Sequence, residues 1–277
     1  MLKQRVITAL VLIALLLPAL FAASIRPFAI LTLIAFAAAG WEWARLNDAG
    51  GLAVALGIVL ACAGAFALFA DLTSSMPVAA WWIAAAVWIL GGVWVLRRGI
   101  AVWPQLPASL RCLVGLVLLL TAWLALVHAK TIGVDFVLSV FCLVWIADIA
   151  AYFGGRAFGR RKLAPTISPG KSWEGAWSGM AGALLLAVGW LAAERALGID
   201  PHSLYAVLRT RFGTFGMGLA VILLAAVSVV GDLFESLVKR SAGAKDSSKL
   251  LPGHGGILDR VDGLLPVFPI ALALVML

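Results

Sequence analysis

Long apolar runs separated by short polar connections dominate the hydrophobic pattern of this chain. Many of these runs reach or approach the length of about 20 residues that an α-helix needs to cross a bilayer. Ten-residue segments of alternating polarity, which are typical of membrane β-barrels, are missing from the sequence. The pattern predicts an all-α, polytopic membrane helix bundle with about nine transmembrane helices. The predicted segments are residues 6–23, 27–41, 51–70, 77–96, 112–127, 134–153, 175–193, 213–231 and 259–277.

Composition supports a membrane protein over a soluble one. Of the 277 residues, 64% are hydrophobic and only 12% are charged, and the mean hydropathy is +1.08. An ordinary soluble domain of this length is much less apolar. The three cysteines lie in apolar runs, without the spacing of a zinc site or a disulfide framework.

The basic residues predict the orientation of the bundle. Lysine and arginine concentrate in the cytoplasmic connections of membrane proteins. With nine spans, most of the 21 Lys and Arg residues fall on the side of the N-terminus, which we therefore expect to be cytoplasmic. Two loops on that side, 154–174 and 232–263, carry much of this charge. The net charge of +8 suits anionic lipid headgroups or nucleotide phosphates, whereas no soluble domain is available to dock a nucleic acid.

Acidic side chains collect at the membrane ends of the same two loops. Asp148 lies within an apolar run, Asp232 directly follows one, and Asp259 and Asp262 stand three residues apart at the start of the last run. A carboxylate near the bilayer is unfavourable unless it is paired or bound to a cation. For Asp148, an ion pair with a nearby arginine is the structural alternative to a functional role.

Several carboxylates beside many cations are typical of a site that binds a polyphosphate together with a divalent metal. Mg²⁺ prefers oxygen ligands and takes only one or two of them from protein carboxylates. Lysine and arginine then neutralise the phosphate oxygens. The run "PGHGG" adds flexible backbone that can approach an anion closely, and His254 within it is a candidate phosphate donor.

Two further groups of polar residues fit such a site. If the eighth apolar segment continues as a helix, then one of its faces carries Asp232, Glu235, Ser236, Lys239 and Arg240. Solvated charges at a helix end are the simpler interpretation of that stripe. The run "SPGKS" lacks the glycine spacing of a phosphate-binding P-loop, but its Ser168 and Lys171 are candidate phosphate contacts.

Two stretches closely resemble the signature of the phosphatidate cytidylyltransferases, which are also called CDP-diacylglycerol synthases. One stretch runs from Ser236 to Asp262 and contains "KR", "KD", "PGHGG" and "DRVD" at fixed spacing. The other runs from Asp148 to Gly175 and contains "DIAAYFGGR" and "SPGKSWEG". The first half of the chain resembles the family only in hydropathy.

The resemblance implies an activity in phospholipid biosynthesis. Members of the family transfer a cytidylyl group from CTP to phosphatidic acid, which gives CDP-diacylglycerol and pyrophosphate. We expect N-terminal transmembrane helices at residues 1–130 and a transmembrane catalytic region at residues 131–277, with the active site facing the cytoplasm of a bacterial inner membrane. The expected partners are CTP, phosphatidic acid and membrane lipids, with no nucleic acid; a homodimer is left open.

The resemblance also suggests roles for individual residues. Asp232 and Asp259 are expected to hold a catalytic Mg²⁺, with room for a second cation, and Lys239 and Arg240 complete the catalytic group. The additional candidate metal ligands are Asp148, Asp246 and Asp262. The expected substrate-binding residues are Ser168, Lys171, Ser236, Lys245, Asp246, His254, Gly255, Gly256 and Arg260.

Two alternative functions stay open at this point. A polyprenol kinase would also use CTP in the membrane but would transfer the γ-phosphoryl group. A transporter for an anionic solute is the alternative from another class, because charges inside membranes also mark ion pathways. It would favour charges distributed across the bilayer and an inverted repeat, whereas the charges here cluster on one predicted face.

Overall fold

The structure of the protein is a computed structural model that describes residues 2–276. Most of this range is helical, with one short hairpin between the seventh and eighth helices. Met1, the first residue of the predicted region 1–130, and Leu277, the last residue of the predicted region 131–277, lie outside the described residues. The helices are α1 Leu2–Phe21, α2 Arg26–Leu46, α3 Ala53–Phe69, α4 Leu72–Ser75, α5 Val78–Arg98, α6 Ala108–Ile132, α7 Val134–Phe158, α8 Trp173–Leu197, α9 Leu204–Ser241, α10 Leu258–Val261 and α11 Leu264–Val275; the strands are β1 Lys162–Ala164 and β2 Ser168–Ser172.

Seven helices within residues 2–276 are long and apolar enough to cross a membrane. They are α2, α3 with the turn before it, and α5 to α9. This confirms an all-α, polytopic membrane protein. The first and ninth predicted segments correspond to α1 and α11, but the apolar part of α1 and the whole of α11 are shorter than these seven helices. A total of nine spans therefore stays a prediction.

Helix α9 is longer than the predicted segment 213–231. It begins at Leu204, bends at Gly213, where φ is 70°, and continues to Ser241. No proline lies between the bend and Ser241, so none ends the helix where the apolar residues stop. The polar stripe that starts at Asp232 is therefore helical, as predicted.

The predicted loop 154–174 is mostly ordered secondary structure. Helix α7 continues to Phe158, and β1 and β2 pair in antiparallel fashion, with Lys162 opposite Ser172 and Ala164 opposite Ser168. The Ser172 side chain accepts a hydrogen bond from the backbone N–H of Gly175 and so caps α8. The hairpin thus leads directly from the end of α7 into α8.

Glycines bring α7 and α8 into direct backbone contact. A Cβ atom on Gly175 would lie 2.8 Å from the carbonyl oxygen of Ala151, and one on Gly179 would lie 2.7 Å from that of Ala147. Both distances are too short for a real methyl group, so the helices approach this closely only because these positions lack side chains. The contact holds Asp148 of α7 near the hairpin.

An aromatic cluster fastens the N-terminal helices to α9. The ring of Phe234 lies 5.8 Å from Trp43 of α2, 5.6 Å from Trp88 of α5 and 5.3 Å from Trp103. The indole N–H of Trp43 also donates to the carbonyl oxygen of Arg111 at 2.9 Å. Because Phe234 sits between Asp232 and Glu235 in sequence, this packing sets the position of the polar stripe.

Candidate active site

A cavity of about 670 Å³ opens between α7, α8, α9 and the two polar loops. Both predicted loops contribute to its lining, together with the membrane end of α7. The structure therefore brings together residues separated by more than a hundred positions. The predicted site residues in the lining are Asp148, Ser168, Lys171, Asp232, Asp259, Arg260 and Asp262.

Lys171 links the hairpin to α9. Its ammonium group lies 2.5 Å from Oδ2 of Asp232, and each side chain is about three-quarters buried. The Ser236 hydroxyl donates to the other oxygen of Asp232 at 3.2 Å. Both oxygens of Asp232 thus have a partner, and a cation already faces the carboxylate across the cavity.

Asp259 is the most heavily hydrogen-bonded carboxylate of the site. Its Oδ2 accepts from the backbone N–H and the hydroxyl of Ser247, each at 2.9 Å, and from the N–H of Gly256 at 2.7 Å. Its Oδ1 accepts from Lys239 at 2.6 Å, and Lys239 also pairs with the buried Glu235. Burial opposes ionisation, but these donors outweigh it and lower the pKa of Asp259 to about 2. The carboxylate is ionised at neutral pH and organises the loop around it.

Asp262 has a different environment, although it follows Asp259 by only three residues. Like Asp259, it precedes α11 and belongs to none of the seven candidate spans. Burial, reinforced by the neighbouring Asp232 carboxylate, raises the pKa of Asp262 to about 8. A Cβ atom on Gly231 would lie 2.4 Å from the carbonyl oxygen of Asp262. Only a glycine at this position therefore allows the backbone of Asp262 to pack this closely against α9, the helix that carries Asp232.

The carboxylates fit a divalent cation, although they do not form a closed metal cage. Asp232 interacts electrostatically with both Asp148 and Asp262, and all three line the cavity. In residues 2–276, no group of three or more His, Cys, Asp or Glu side chains could hold a metal ion by itself. Mg²⁺ needs only one or two protein carboxylates when phosphates and water supply the other ligands. Repulsion between the acids is the feature that such an ion would relieve.

Several predicted catalytic and substrate-binding residues make contacts within the loops, and most of them do not line the cavity. The Arg240 guanidinium donates to the carbonyl oxygens of Ile167 and Ala244, at 3.5 and 3.3 Å. Arg260 lines the cavity and also donates to the carbonyl oxygen of His254 at 2.7 Å. The predicted residues that are not in the lining are Ser236, Lys239, Arg240, Lys245, Asp246, His254, Gly255 and Gly256.

Gly255 and Gly256 have structural reasons to be glycines. Gly255 has a φ of 83°, and a Cβ atom there would lie 2.6 Å from Oδ2 of Asp259. A Cβ atom on Gly256 would lie 2.0 Å from the Ser247 hydroxyl and 2.3 Å from a carboxylate oxygen of Glu42. The "PGHGG" run therefore lets its backbone approach carboxylates of the protein itself.

Glu42 is a site contact that the sequence analysis did not identify. It lies at the end of α2, is fully buried, and faces the loop that contains Ser247 and Gly256. The available signal was one acidic residue directly after the apolar segment 27–41. Its partners lie more than 200 residues further along the chain, so the sequence pattern did not reveal the contact.

The fold and the site define an all-α membrane protein with a cavity lined by carboxylates and cations at one end of the bundle. Comparison with known proteins shows its family. The model of the cytidylyltransferase family matches residues 3–277. The chain therefore belongs to the cytidylyltransferase family, which confirms the resemblance.

Curated relatives carry the name phosphatidate cytidylyltransferase. The chain is similar to the Pseudomonas aeruginosa protein of that name, with 40% identity over 282 residues that cover 99% of this chain and 97% of the relative. The Haemophilus influenzae protein is 45% identical over 142 residues, which cover 51% of this chain and 46% of the relative. The chloroplastic phosphatidate cytidylyltransferase 5 of Arabidopsis thaliana is 42% identical over 138 residues, which cover 49% of this chain and 30% of the relative.

Proposed function

We infer that this protein is a CTP:phosphatidate cytidylyltransferase, a nucleotidyltransferase that makes CDP-diacylglycerol and pyrophosphate from CTP and phosphatidic acid. Similarity over almost the whole length of the Pseudomonas aeruginosa relative supports this function. The observation that carries it is the single cavity in which Lys171 and Arg260 face the carboxylates of both signature stretches. Such a cavity suits the joint binding of a nucleotide triphosphate and a lipid phosphate.

The reaction needs little proton transfer. An oxygen of the phosphatidate phosphate attacks the α-phosphorus of CTP, and the bond from that phosphorus to the oxygen bridging the β-phosphate breaks, which releases pyrophosphate. A phosphate monoester is already an anion near neutral pH, so no strong general base is required. Positioning and charge neutralisation should supply most of the rate enhancement. Lys171 and Arg260 are the basic residues from the predicted list that line the cavity and can neutralise phosphate oxygens there.

We propose Mg²⁺ as the cofactor, held by Asp232 and Asp259, with Asp148, Asp246 and Asp262 as assisting acids and a second cation nearby. When bound, the ion would polarise the α-phosphorus and offset charge on the phosphates. The proximity of Asp232 to the acids Asp148 and Asp262 in the cavity, where their negative charges would repel one another, supports the proposal most directly. For Asp259 to act as a ligand, its Oδ1 would have to exchange the hydrogen bond from Lys239 for the cation.

We also propose that α1 and α11 are the first and ninth spans, with the N-terminus and the cavity on the cytoplasmic side of a bacterial inner membrane. The hydroxyl of Thr8, near the start of α1, donates to the carbonyl oxygen of Pro252 at 3.1 Å. This contact supports a location of the N-terminus beside the basic loops. The concentration of lysine and arginine at that end supports the cytoplasmic side.

The function is tested with purified full-length protein in detergent, supplied with phosphatidic acid, Mg²⁺ and CTP labelled at the α- or the γ-phosphate. We expect the α-label to enter the lipid phase as pyrophosphate is released. Entry of the γ-label into polyprenol would instead indicate a kinase, and no CTP turnover together with solute uptake into liposomes would indicate a transporter.

The same assay tests the proposed metal-binding acids. Asp232→Ala and Asp259→Ala should each lower kcat by about 100-fold or more, because charge stabilisation at the reacting phosphate is lost. Asp200→Ala is the matched control, since this exposed acid lies in the connection between α8 and α9, outside the cavity lining. Full activity in correctly folded Asp232→Ala and Asp259→Ala proteins would contradict the proposed site.

A further inference from the structure

Glu42 is buried at the end of α2, where its carboxylate faces a segment of the signature loop. Two backbone groups donate to it: Ile257 N–H to Oε1 at 3.0 Å and Leu258 N–H to Oε2 at 2.7 Å. The Ser248 hydroxyl donates to Oε1 at 2.5 Å, and the Ser247 hydroxyl lies 3.2 Å from Oε2. Three donors of one loop therefore surround this carboxylate from a distant helix, together with the Ser247 hydroxyl, whose single proton Glu42 shares with Asp259.

Neutral donors alone surround this carboxylate in the described part of the chain. Glu42 takes part in none of the ion pairs found among the described side chains. A buried carboxyl group with this many hydrogen bonds is well stabilised, but its removal leaves buried donors unsatisfied. The arrangement therefore strongly favours one conformation of the loop over others.

The contacts continue from Glu42 to the cavity. The Ser247 hydroxyl also lies 2.9 Å from Oδ2 of Asp259, so it bridges the two carboxylates. The backbone N–H of Gly256 donates to the same Asp259 oxygen, and Gly256 packs against Glu42 without space for a side chain. The orientation of Asp259 thus depends on a loop conformation that Glu42 fixes from the opposite side.

The N-terminal half of the chain contributes no residue to the lining of the cavity. Every lining residue of the cavity lies at position 148 or beyond. The loop from Lys245 to Ile257 is too short to form a hydrophobic core of its own. Among the N-terminal helices, α1 gives this loop one hydrogen bond, from Thr8 to the Pro252 carbonyl oxygen, whereas α2 supplies the buried multi-contact anchor through Glu42.

We propose that Glu42 is a positioning residue for cytidylyl transfer, a role that rests on the function proposed above. Glu42 holds the segment Ser247–Leu258 in the conformation that presents Asp259 and Arg260 to the cavity. It does not touch substrate, so its effect reaches the reaction through the loop. Displacement of a reacting group by about 1 Å can cost about 100-fold in rate, and we expect an effect of that size.

The test compares three variants of the full-length protein in detergent. Glu42→Ala removes all four contacts, Glu42→Gln keeps the shape and one accepting oxygen, and Thr32→Val is the matched control. Thr32 is buried in the same helix, where its hydroxyl bonds to Phe28 and Trp123 instead of the loop. The measurements are kcat and KM for CTP, the thermal unfolding midpoint, and hydrogen–deuterium exchange of peptides covering residues 246–258.

The expected result separates positioning from general stability. Glu42→Ala should lower kcat by about 100-fold and speed exchange in residues 246–258, while the other peptides keep wild-type exchange. Glu42→Gln should recover part of the rate, and Thr32→Val should lower the unfolding midpoint without changing kcat or loop exchange. If Glu42→Ala and Glu42→Gln retain wild-type kcat and loop exchange, or if Thr32→Val reproduces their losses, the proposal is overturned.

Hydrogen exchange separates a failure of this inference from a failure of the proposed function. If wild-type protein transfers no cytidylyl group, the proposed function fails, and the positioning role in that reaction fails with it. Protection of residues 246–258 that depends on Glu42 would then still establish the structural anchor. If transfer occurs and the Glu42 variants match wild type, only the present inference fails.

Discussion

At the scale of single residues, Lys171 is the basic side chain whose removal should affect transfer most specifically. It lines the cavity and contacts Asp232, so it can neutralise phosphate oxygens close to the acids. Lys171→Met should lower kcat/KM by about 100-fold, because a charge-assisted contact is lost in a partly desolvated site.

A second lysine of the same hairpin provides the control for that measurement. Lys162 is exposed in β1 and is not part of the cavity lining. Lys162→Met removes the same charge from the hairpin and should change kcat/KM by no more than about twofold, because exposed charges are screened by salt. Equal losses in the two variants would show that the overall charge of the hairpin matters, and not the contact with Asp232.

The raised pKa of Asp262 leads us to expect that the stability of the metal-free protein decreases with rising pH. The ordinary pKa of 3.8 for this side chain is raised to about 8 by burial and by Asp232. Between these values the side chain loses its proton on unfolding, so stability decreases as pH rises toward 8. Asp262→Asn removes this dependence. In EDTA, its unfolding midpoint should exceed that of wild type by about 5 °C or more at pH 8 and by much less at pH 4.

Thermal unfolding in detergent at the two pH values measures this effect. Adding Mg²⁺ at pH 8 should stabilise wild type more than Asp262→Asn, because the ion relieves repulsion that the variant has already lost. The same midpoint difference at pH 4 and pH 8 would show that Asp262 is not protonated in the folded, metal-free protein.

At the scale of helices, the contact between α7 and α8 determines the distance between Asp148 and the hairpin. Gly179→Ala places a methyl group 2.7 Å from the carbonyl oxygen of Ala147, which must push the two helices apart. We expect an activity loss of about tenfold or more together with a lower unfolding midpoint. Gly189→Ala, on the same helix with no atom within 4 Å, should leave both unchanged. Similar behaviour of the two variants would contradict a role for close packing.

Hydropathy predicted the main helices well, because a membrane requires long continuous apolar runs. The hairpin β1–β2 was not predicted, since "KLA" and "SPGKS" lack the alternation of a half-buried strand. The carboxylates of the cavity were predicted because an acid next to an apolar run is conspicuous. The sequence did not predict which groups each basic side chain would contact. Lys239 forms ion pairs with Glu235 and Asp259, and Arg240 donates to backbone carbonyl oxygens, so neither side chain lines the cavity.

At the scale of the whole molecule, the C-terminal half of the chain lines the cavity and the N-terminal half holds the elements that form it. The cavity belongs to residues from 148 onward, while α2 and α5 hold α9 through Phe234 and α2 holds the signature loop through Glu42. This arrangement requires that the start of α1, the end of α2 and the basic loops share one side of the membrane. The proposed orientation places that side in the cytoplasm, where CTP is available.

Cysteine labelling can test both this orientation and the span count. Cys62, Cys112 and Cys142 are first replaced by alanine, and one cysteine is then introduced at Gln4, Ser24, Lys162 or Asp200. A membrane-impermeant maleimide should label positions 4 and 162 only in inside-out vesicles, and positions 24 and 200 only in right-side-out vesicles. Labelling of positions 4 and 24 from the same side would show that α1 does not cross the membrane. Exchange of the sides for positions 162 and 200 would place the cavity outside the cytoplasm and remove its access to CTP.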